Sequence, residues 1–161
     1  MTDTILLDDF YLFLHEYTDF YSDFLMLESE KYQIVSRNQF RRLDEFIKQE
    51  QVFLLKSKSY EHRREDYLTQ FGSKTLTFSD LIETISDETY RSKYRDLHQQ
   101  LSDILRDLKE ANRVCNFLIE LHLRKIDNRI KRMEHLPETD HRYGPGMQST
   151  DSAHSNISRK I

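Results

Sequence analysis

The chain of 161 residues has few of the residues that interrupt or cross-link helices: two prolines, three glycines and one cysteine. Up to Leu136 there is a single glycine, Gly72, and no proline. Helix interiors exclude both residue types, so their absence predicts an all-helical body followed by a loose tail. One cysteine excludes an intramolecular disulfide framework and is typical of a reducing cytoplasm.

Other absences exclude classes of function. No apolar run approaches the roughly 20 residues of a membrane span, and the acidic N-terminus lacks the basic flank and cleavage site of a signal peptide. A net charge of -4 gives no general case for nucleic-acid binding. The sequence has no glycine-rich phosphate loop and no nucleophile elbow. Its one Glu-x-x-His pair, Glu138 and His141, lies beyond the helical body. We therefore expect no catalytic residue, no metal site and no cofactor.

Apolar residues at helical spacing predict four helices, at about 4–35, 39–71, 79–86 and 88–136. The first helix carries a heptad seam in which only position 31, a lysine, is polar. Gly72 suits a helix C-cap and Ser79 an N-cap. Three long helices joined by short turns predict an all-α fold, an elongated up-down antiparallel helical bundle of coiled-coil type with one short helix. This bundle would occupy residues 1–136, and residues 137–161 would form a flexible tail.

The last helix is apolar on two sides in its C-terminal half. At 100° per residue, one stripe faces the bundle: Leu97, Leu101, Ile104, Leu108, Ala111 and Cys115, continued by Ile119, Leu123, Ile126, Ile130 and Met133. A second set falls nearly opposite: Val114, Phe117, Leu118 and Leu121. An exposed apolar patch on a soluble protein tends to mark an interaction site. The short helix, a second copy of the chain or an amphipathic helix of another protein could cover it.

A basic cluster follows in the same helix: Arg124, Lys125, Arg129, Lys131 and Arg132. Cations in the last turns of a helix offset its dipole, which explains the cluster without any partner. In an up-down-up bundle this end would lie near Lys31, Arg37, Arg41 and Arg42. A basic pole that docks acidic surfaces is therefore a further hypothesis.

The segment ANRVCNFLIELHLRKIDNRI, followed by HRYGPGMQ, resembles the C-terminal pattern of FlgN-type flagellar export chaperones. The matching positions are Asn112, Asn116, Leu118, Ile119 and Leu123 in the helix, and Tyr143, Gly144, Pro145 and Gly146 in the tail. Arg63-Arg64, Gly72 and the stretch TLTFSDLI are also similar to the family pattern, whereas the aromatic-rich first helix departs from it.

The resemblance implies a cytoplasmic chaperone of flagellar type III secretion. Such chaperones bind the C-terminal helical segments of hook-associated proteins, prevent their premature assembly and deliver them to the export apparatus. The expected partner-binding residues are Asn112, Val114, Asn116, Phe117, Leu118, Ile119, Leu121, Leu123 and Tyr143. The alternative is a self-associating coiled-coil structural or adaptor protein with no chaperone role, in which the same patch forms a homodimer. Neither hypothesis involves nucleic acid, membrane insertion or a cofactor.

Overall fold

A computed structural model of the protein describes residues 4–135. These residues form four α-helices: α1 (Thr4–Ser36), α2 (Leu43–Gln70), α3 (Phe78–Thr84) and α4 (Glu88–Glu134), with a 3-10 turn at Phe40–Arg42. No strand occurs among the residues described, and the long helices pack against one another, which confirms the predicted all-α bundle. The segment predicted as a tail, with Tyr143, lies outside the described residues.

The chain divides into two compact units, Met1–Leu121 and His122–Ile161. The first unit contains α1, α2, α3 and α4 as far as Leu121. The second contains the last turns of α4, which continues as one helix to Glu134.

Both long helices that precede a turn end in the same way. Asn38 lies in the left-handed region (φ 57°), and its amide donates to the carbonyl of Val35 at 3.1 Å. The next amide, that of Gln39, donates to Ile34 at 2.9 Å. These two bonds form a Schellman motif. Gly72 (φ 128°) makes the same motif at the end of α2, with bonds from Gly72 to Thr69 and from Ser73 to Leu68. Phe71 is the C-cap residue itself, and Gly72, which follows it, is the glycine that ends α2 as the sequence predicted.

The start of the short helix corrects one prediction. Thr77, and not Ser79, is the N-cap of α3. Its hydroxyl accepts from the amide of Asp80 at 3.1 Å, and the Asp80 carboxylate accepts from the amide of Thr77 at 3.2 Å. This reciprocal pair is a capping box. Ser79 lies two residues too far along, because the box needs an acid three residues after the cap and Asp80 supplies it only for Thr77.

Side-chain contacts within the first unit give the direction of each helix. The pairs Glu16–Tyr60 and Lys31–Glu50 join α1 to α2. The residue number increases along α1 while that of its partner on α2 decreases, so these helices are antiparallel. Tyr94 donates to the carbonyl of Leu7 and Cys115 donates to that of Glu28, both across 87 residues, so α1 and α4 are parallel. The topology is therefore up-down-up.

The core changes character along the bundle. At the end covered by α3, Phe10 lies within 5.1 to 6.4 Å (ring centroids) of five aromatic rings: Phe13, Tyr67, Phe71, Phe78 and Tyr94. Phe24 and Phe53 still stack at 5.1 Å further along. One turn beyond Phe24 the core includes two charged residues among apolar ones, because Glu28 and Lys31 are 0% and 2% exposed.

Candidate partner-binding face on α4

The candidate site is the α4 face, which we define as Val114, Phe117, Leu118 and Leu121, all in the first unit. Phe117 is 57% exposed and Leu121 is 38% exposed. Val114 and Leu118 are half-buried. The face predicted from sequence therefore has two members open to solvent and two at the edge of the bundle.

Heptad geometry explains the partial burial of Leu118. Leu97, Ile104, Ala111 and Leu118 are spaced seven residues apart, and Leu97 is buried in the core. A supercoiled helix has 3.5 residues per turn, so such a row keeps its orientation toward the partner helices. An angle of 100° per residue instead makes the row drift by about 20° per heptad. A fixed angle of 100° per residue therefore places Leu118 farther from the core than it lies.

Two of the predicted binding residues, Asn112 and Asn116, form hydrogen bonds within the protein. The amide of Asn112 donates to Oε1 of Glu50 at 3.4 Å, and Asn116 donates to Oδ1 of Asn112 at 3.1 Å. Asn112 is half-buried, as is Ile119, whereas Asn116 is exposed. Asn112 therefore connects α4 to α2, in addition to lying beside the α4 face.

The second unit carries its own apolar stripe in the last turns of α4. Leu123, Ile126, Ile130 and Met133 are 57%, 40%, 49% and 71% exposed. Their spacing of three and four residues places them on one side of the helix. Leu123, predicted as a partner-binding residue, thus belongs to a solvent-exposed apolar stripe.

The short helix α3 does not cover the α4 face. Its Phe78 packs against Tyr94 and His98, with ring centroids 6.1 and 4.9 Å apart. Phe117 lies 23 residues beyond Tyr94 on the same helix, which is about 35 Å of helical rise. Among the three covers considered from the sequence, only a second copy of the chain or another protein remains.

Beneath this part of α4 lies a buried group of charges, the Lys31 cluster, formed by Glu28, Lys31 and Glu50. The Lys31 ammonium is 3.2 Å from a Glu28 carboxylate oxygen and 3.1 Å from one of Glu50. Burial, followed by repulsion from Glu50, raises the pKa of Glu28 to about 7, although Lys31 opposes this. Burial alone would lower the pKa of Lys31, but the two carboxylates outweigh it and raise that pKa.

The burial of Lys31 corrects the hypothesis of a basic pole. Lys31 is enclosed with two carboxylates, so it contributes no surface charge. Arg37, Arg41 and Arg42 are exposed. A cleft of about 320 Å³ lies at this turn, lined by Glu30, Gln33, Ile34, Arg37, Gln39, Arg42 and Phe46.

Cys115 is fully buried, with its Sγ 3.9 Å from the carbonyl oxygen of Glu28. Burial raises the pKa of its thiol to about 11, so the thiol stays protonated at neutral pH and is a poor nucleophile. Within residues 4–135 no group of three or more His, Cys, Asp or Glu side chains is arranged to hold a metal ion. No helix in the same range is both long and apolar enough to cross a membrane.

The comparison with protein families decides the family of this chain. The family model described as FlgN protein matches residues 1–150 of the 161. The chain belongs to the FlgN family. This is the family of flagellar export chaperones, so the resemblance predicted from the α4 segment is confirmed. Membership links the chain to flagellar biogenesis. Comparisons with curated proteins and with solved structures gave no significant match.

Proposed function

We propose that this FlgN-family protein is a cytoplasmic chaperone for hook-associated flagellar proteins. It binds the helical terminal segment of such a client on the α4 face, keeps the client from assembling early and delivers it to the export apparatus. Family membership supports the chaperone role. The observation that carries the location of the site is the exposure of Phe117 and Leu121 beside the half-buried Val114 and Leu118.

The chemistry of the α4 face suits an amphipathic helix. Aromatic residues are enriched at the energetically dominant positions of protein interfaces, and Phe117 is the one aromatic side chain of this face. Val114 and Leu118 would form the floor of a shallow groove, with Phe117 and Leu121 along its rim. An apolar stripe at i, i+3, i+4 and i+7 on the client would fit such a groove.

Energetics require the client to contact more than this face. Complete burial of a Phe or Leu side chain contributes about 1.5–3 kcal/mol, and two partly exposed ones contribute less than double that. Micromolar affinity requires about 8 kcal/mol after the cost of ordering the client segment has been met. The client would therefore need further apolar contacts outside the α4 face.

Replacement of Phe117 by Asp tests the site. The side chain is 57% exposed, so the change should leave the bundle folded while placing a charge where the client's apolar residues would lie. We expect Phe117→Asp to weaken binding of a hook-associated protein from the same cells by at least tenfold, measured by calorimetry and by co-purification.

The matched control is Leu55→Asp in α2, where the leucine is 68% exposed and lies on another helix. This variant should bind the client as the unaltered protein does. Equal affinity of Phe117→Asp and the unaltered protein would remove the α4 face as the site. Failure of the unaltered protein to bind any hook-associated protein would remove the proposed function itself.

A homodimer that buries the same face is the remaining alternative. It would leave Phe117 inaccessible to a client and make the protein a self-associating structural or adaptor coiled coil. Light scattering separates the two: a dimer that Phe117→Asp converts to a monomer favours self-association, and a monomer in both cases favours client binding.

A further inference from the structure

The three long helices repeat their core residues every seven positions. In α1 one row is Phe10, Tyr17, Phe24 and Lys31, and in α4 one row is Tyr94, Leu101, Leu108 and Cys115; all eight are buried. In such a pattern a helix that slides by one heptad, about 10 Å, exchanges one apolar contact for another. Apolar packing by itself therefore discriminates weakly between neighbouring registers.

The Lys31 cluster interrupts this repetition at one level. Glu28 and Lys31 are almost completely buried, and the ammonium lies 3.2 and 3.4 Å from the two Glu28 carboxylate oxygens and 3.1 Å from one of Glu50. One heptad earlier, the positions of Lys31 and Glu28 are taken by Phe24 and Tyr21. Lys31 and Glu50 lie on different helices, so a shift of α1 against α2 by one heptad would separate two charges in the interior, which is strongly destabilising. At the opposite end the hydroxyl of Tyr94, bonded to the carbonyl of Leu7, also opposes a shift of α4.

The cluster reaches α4 next to the α4 face. Asn112 donates to Glu50, and Cys115 packs with its Sγ against the carbonyl of Glu28. These two residues flank the start of the segment that carries Val114, Phe117, Leu118 and Leu121. Cys115 meets the backbone carbonyl of Glu28 and not its carboxylate, so the bond from Asn112 to Glu50 is the contact that joins the Lys31 cluster to α4 at this level.

We propose that Glu28, Lys31, Glu50 and Asn112 are positioning residues for the α4 face. By holding α4 in one register and one rotation, they turn Phe117 and Leu121 outward instead of letting the bundle bury them. That this orientation serves client binding rests on the proposed function, whereas the orientation itself does not. A single buried polar layer that specifies register at a cost in stability is a known device of coiled coils.

If the cluster only supported the fold, its removal would lower the Tm. A positioning role instead predicts that its removal changes the orientation of α4 without lowering the Tm. Replacement of a complete buried ion cluster by apolar residues of similar volume is often neutral or stabilising. The triple variant Glu28→Met/Lys31→Met/Glu50→Met should therefore keep its helicity and its Tm, or raise the Tm. With no polar layer to hold it, α4 should turn more of its apolar surface inward.

The chain has no tryptophan, so Phe117→Trp supplies a single fluorescent reporter on the α4 face. In this background the triple variant should lower the iodide quenching constant at least twofold and move the emission to shorter wavelength. In the native Phe117 background the same triple variant should bind a hook-associated protein at least tenfold more weakly, although its Tm has not fallen.

The control is Glu61→Met/Arg64→Met, which removes the ion pair on α2 (3.0 Å) that lies against Tyr17 of α1. Its quenching should equal that of Phe117→Trp alone. If the triple variant does not fold, Asn112→Leu decides, because it removes the bond between α4 and Glu50, together with the exposed bond from Asn116 within α4, and should lower the quenching in the same direction. Unchanged quenching in the folded triple variant, or in Asn112→Leu, would overturn the proposal. The quenching needs no client, so its outcome is independent of whether the proposed function holds.

Discussion

The two ends of the bundle in the first unit use different chemistry. Around Phe10 and Tyr94 the core is made of aromatic rings and is closed by α3. Around Lys31 the core contains three charged side chains, and the α4 face beside it remains partly open. The first end has the contacts that stabilise the fold. The second is less favourable energetically, and it has the surface that a client could use.

The largest effect should follow removal of the central ring of the aromatic end. Phe10 is 1% exposed and contacts five other rings. Phe10→Ala should lower the free energy of unfolding by about 3–5 kcal/mol, because a cavity replaces the ring and its aromatic contacts. Urea denaturation followed by circular dichroism measures this. A loss below about 1 kcal/mol would mean that this end does not dominate the stability.

A smaller effect, with a defined pH dependence, is expected at the ionic end. The folded-state pKa of Glu28 is raised from 4.5 to about 7, so its contribution to stability is fully present below about pH 4.5 and is lost as the pH rises through 7. The groups that face it are Lys31, Glu50 and Cys115. Glu28→Gln cannot titrate, so its stability relative to the unaltered protein should improve by about 1–3 kcal/mol between pH 4.5 and 8.

Glu16→Gln is the control for that titration, because Arg63 bonds the Glu16 carboxylate at 3.0 and 3.1 Å and lowers its pKa. A lowered pKa contributes stability that is present above about pH 4.5 and is lost as the pH falls below it, so the difference between this variant and the unaltered protein should change little between pH 4.5 and 8. Urea unfolding at pH 4.5 and 8 measures both. If Glu28→Gln and the unaltered protein differed by the same free energy of unfolding at both pH values, the raised pKa of Glu28 would be contradicted.

The smallest effect concerns the closure of the aromatic end by α3. Thr77→Ala removes the hydroxyl that caps the amide of Asp80. We expect a loss of about 1 kcal/mol in the free energy of unfolding. Ser79→Ala serves as the comparison, since Ser79 is exposed and is not the cap. The assignment of the cap would be wrong if the two variants lost the same amount.

Much of the helical architecture could be predicted from local pattern. The scarcity of glycine and proline and the heptad spacing predicted an all-α bundle, and Gly72 was recognisable as a C-cap because few other residues adopt its backbone angles. The position of Cys115 on the core stripe also predicted its burial. Lys31 stood out as the polar member of an apolar seam, and Glu28 lies three residues before it on the same helix, but nothing local identified Glu50 as the second partner.

The periodicity of the sequence defines which residues share a side of each helix, and its local signals indicate about where each helix ends. The packing of the helices against one another defines which of those sides are covered. It placed Glu50 beside Lys31 across 19 residues, Asn112 beside Glu50 across 62, and Cys115 against Glu28 across 87. It also left Phe117 exposed while half-burying Leu118. Burial and ion pairing depend on atoms that are distant in the chain, and so the periodicity of one helix cannot specify them.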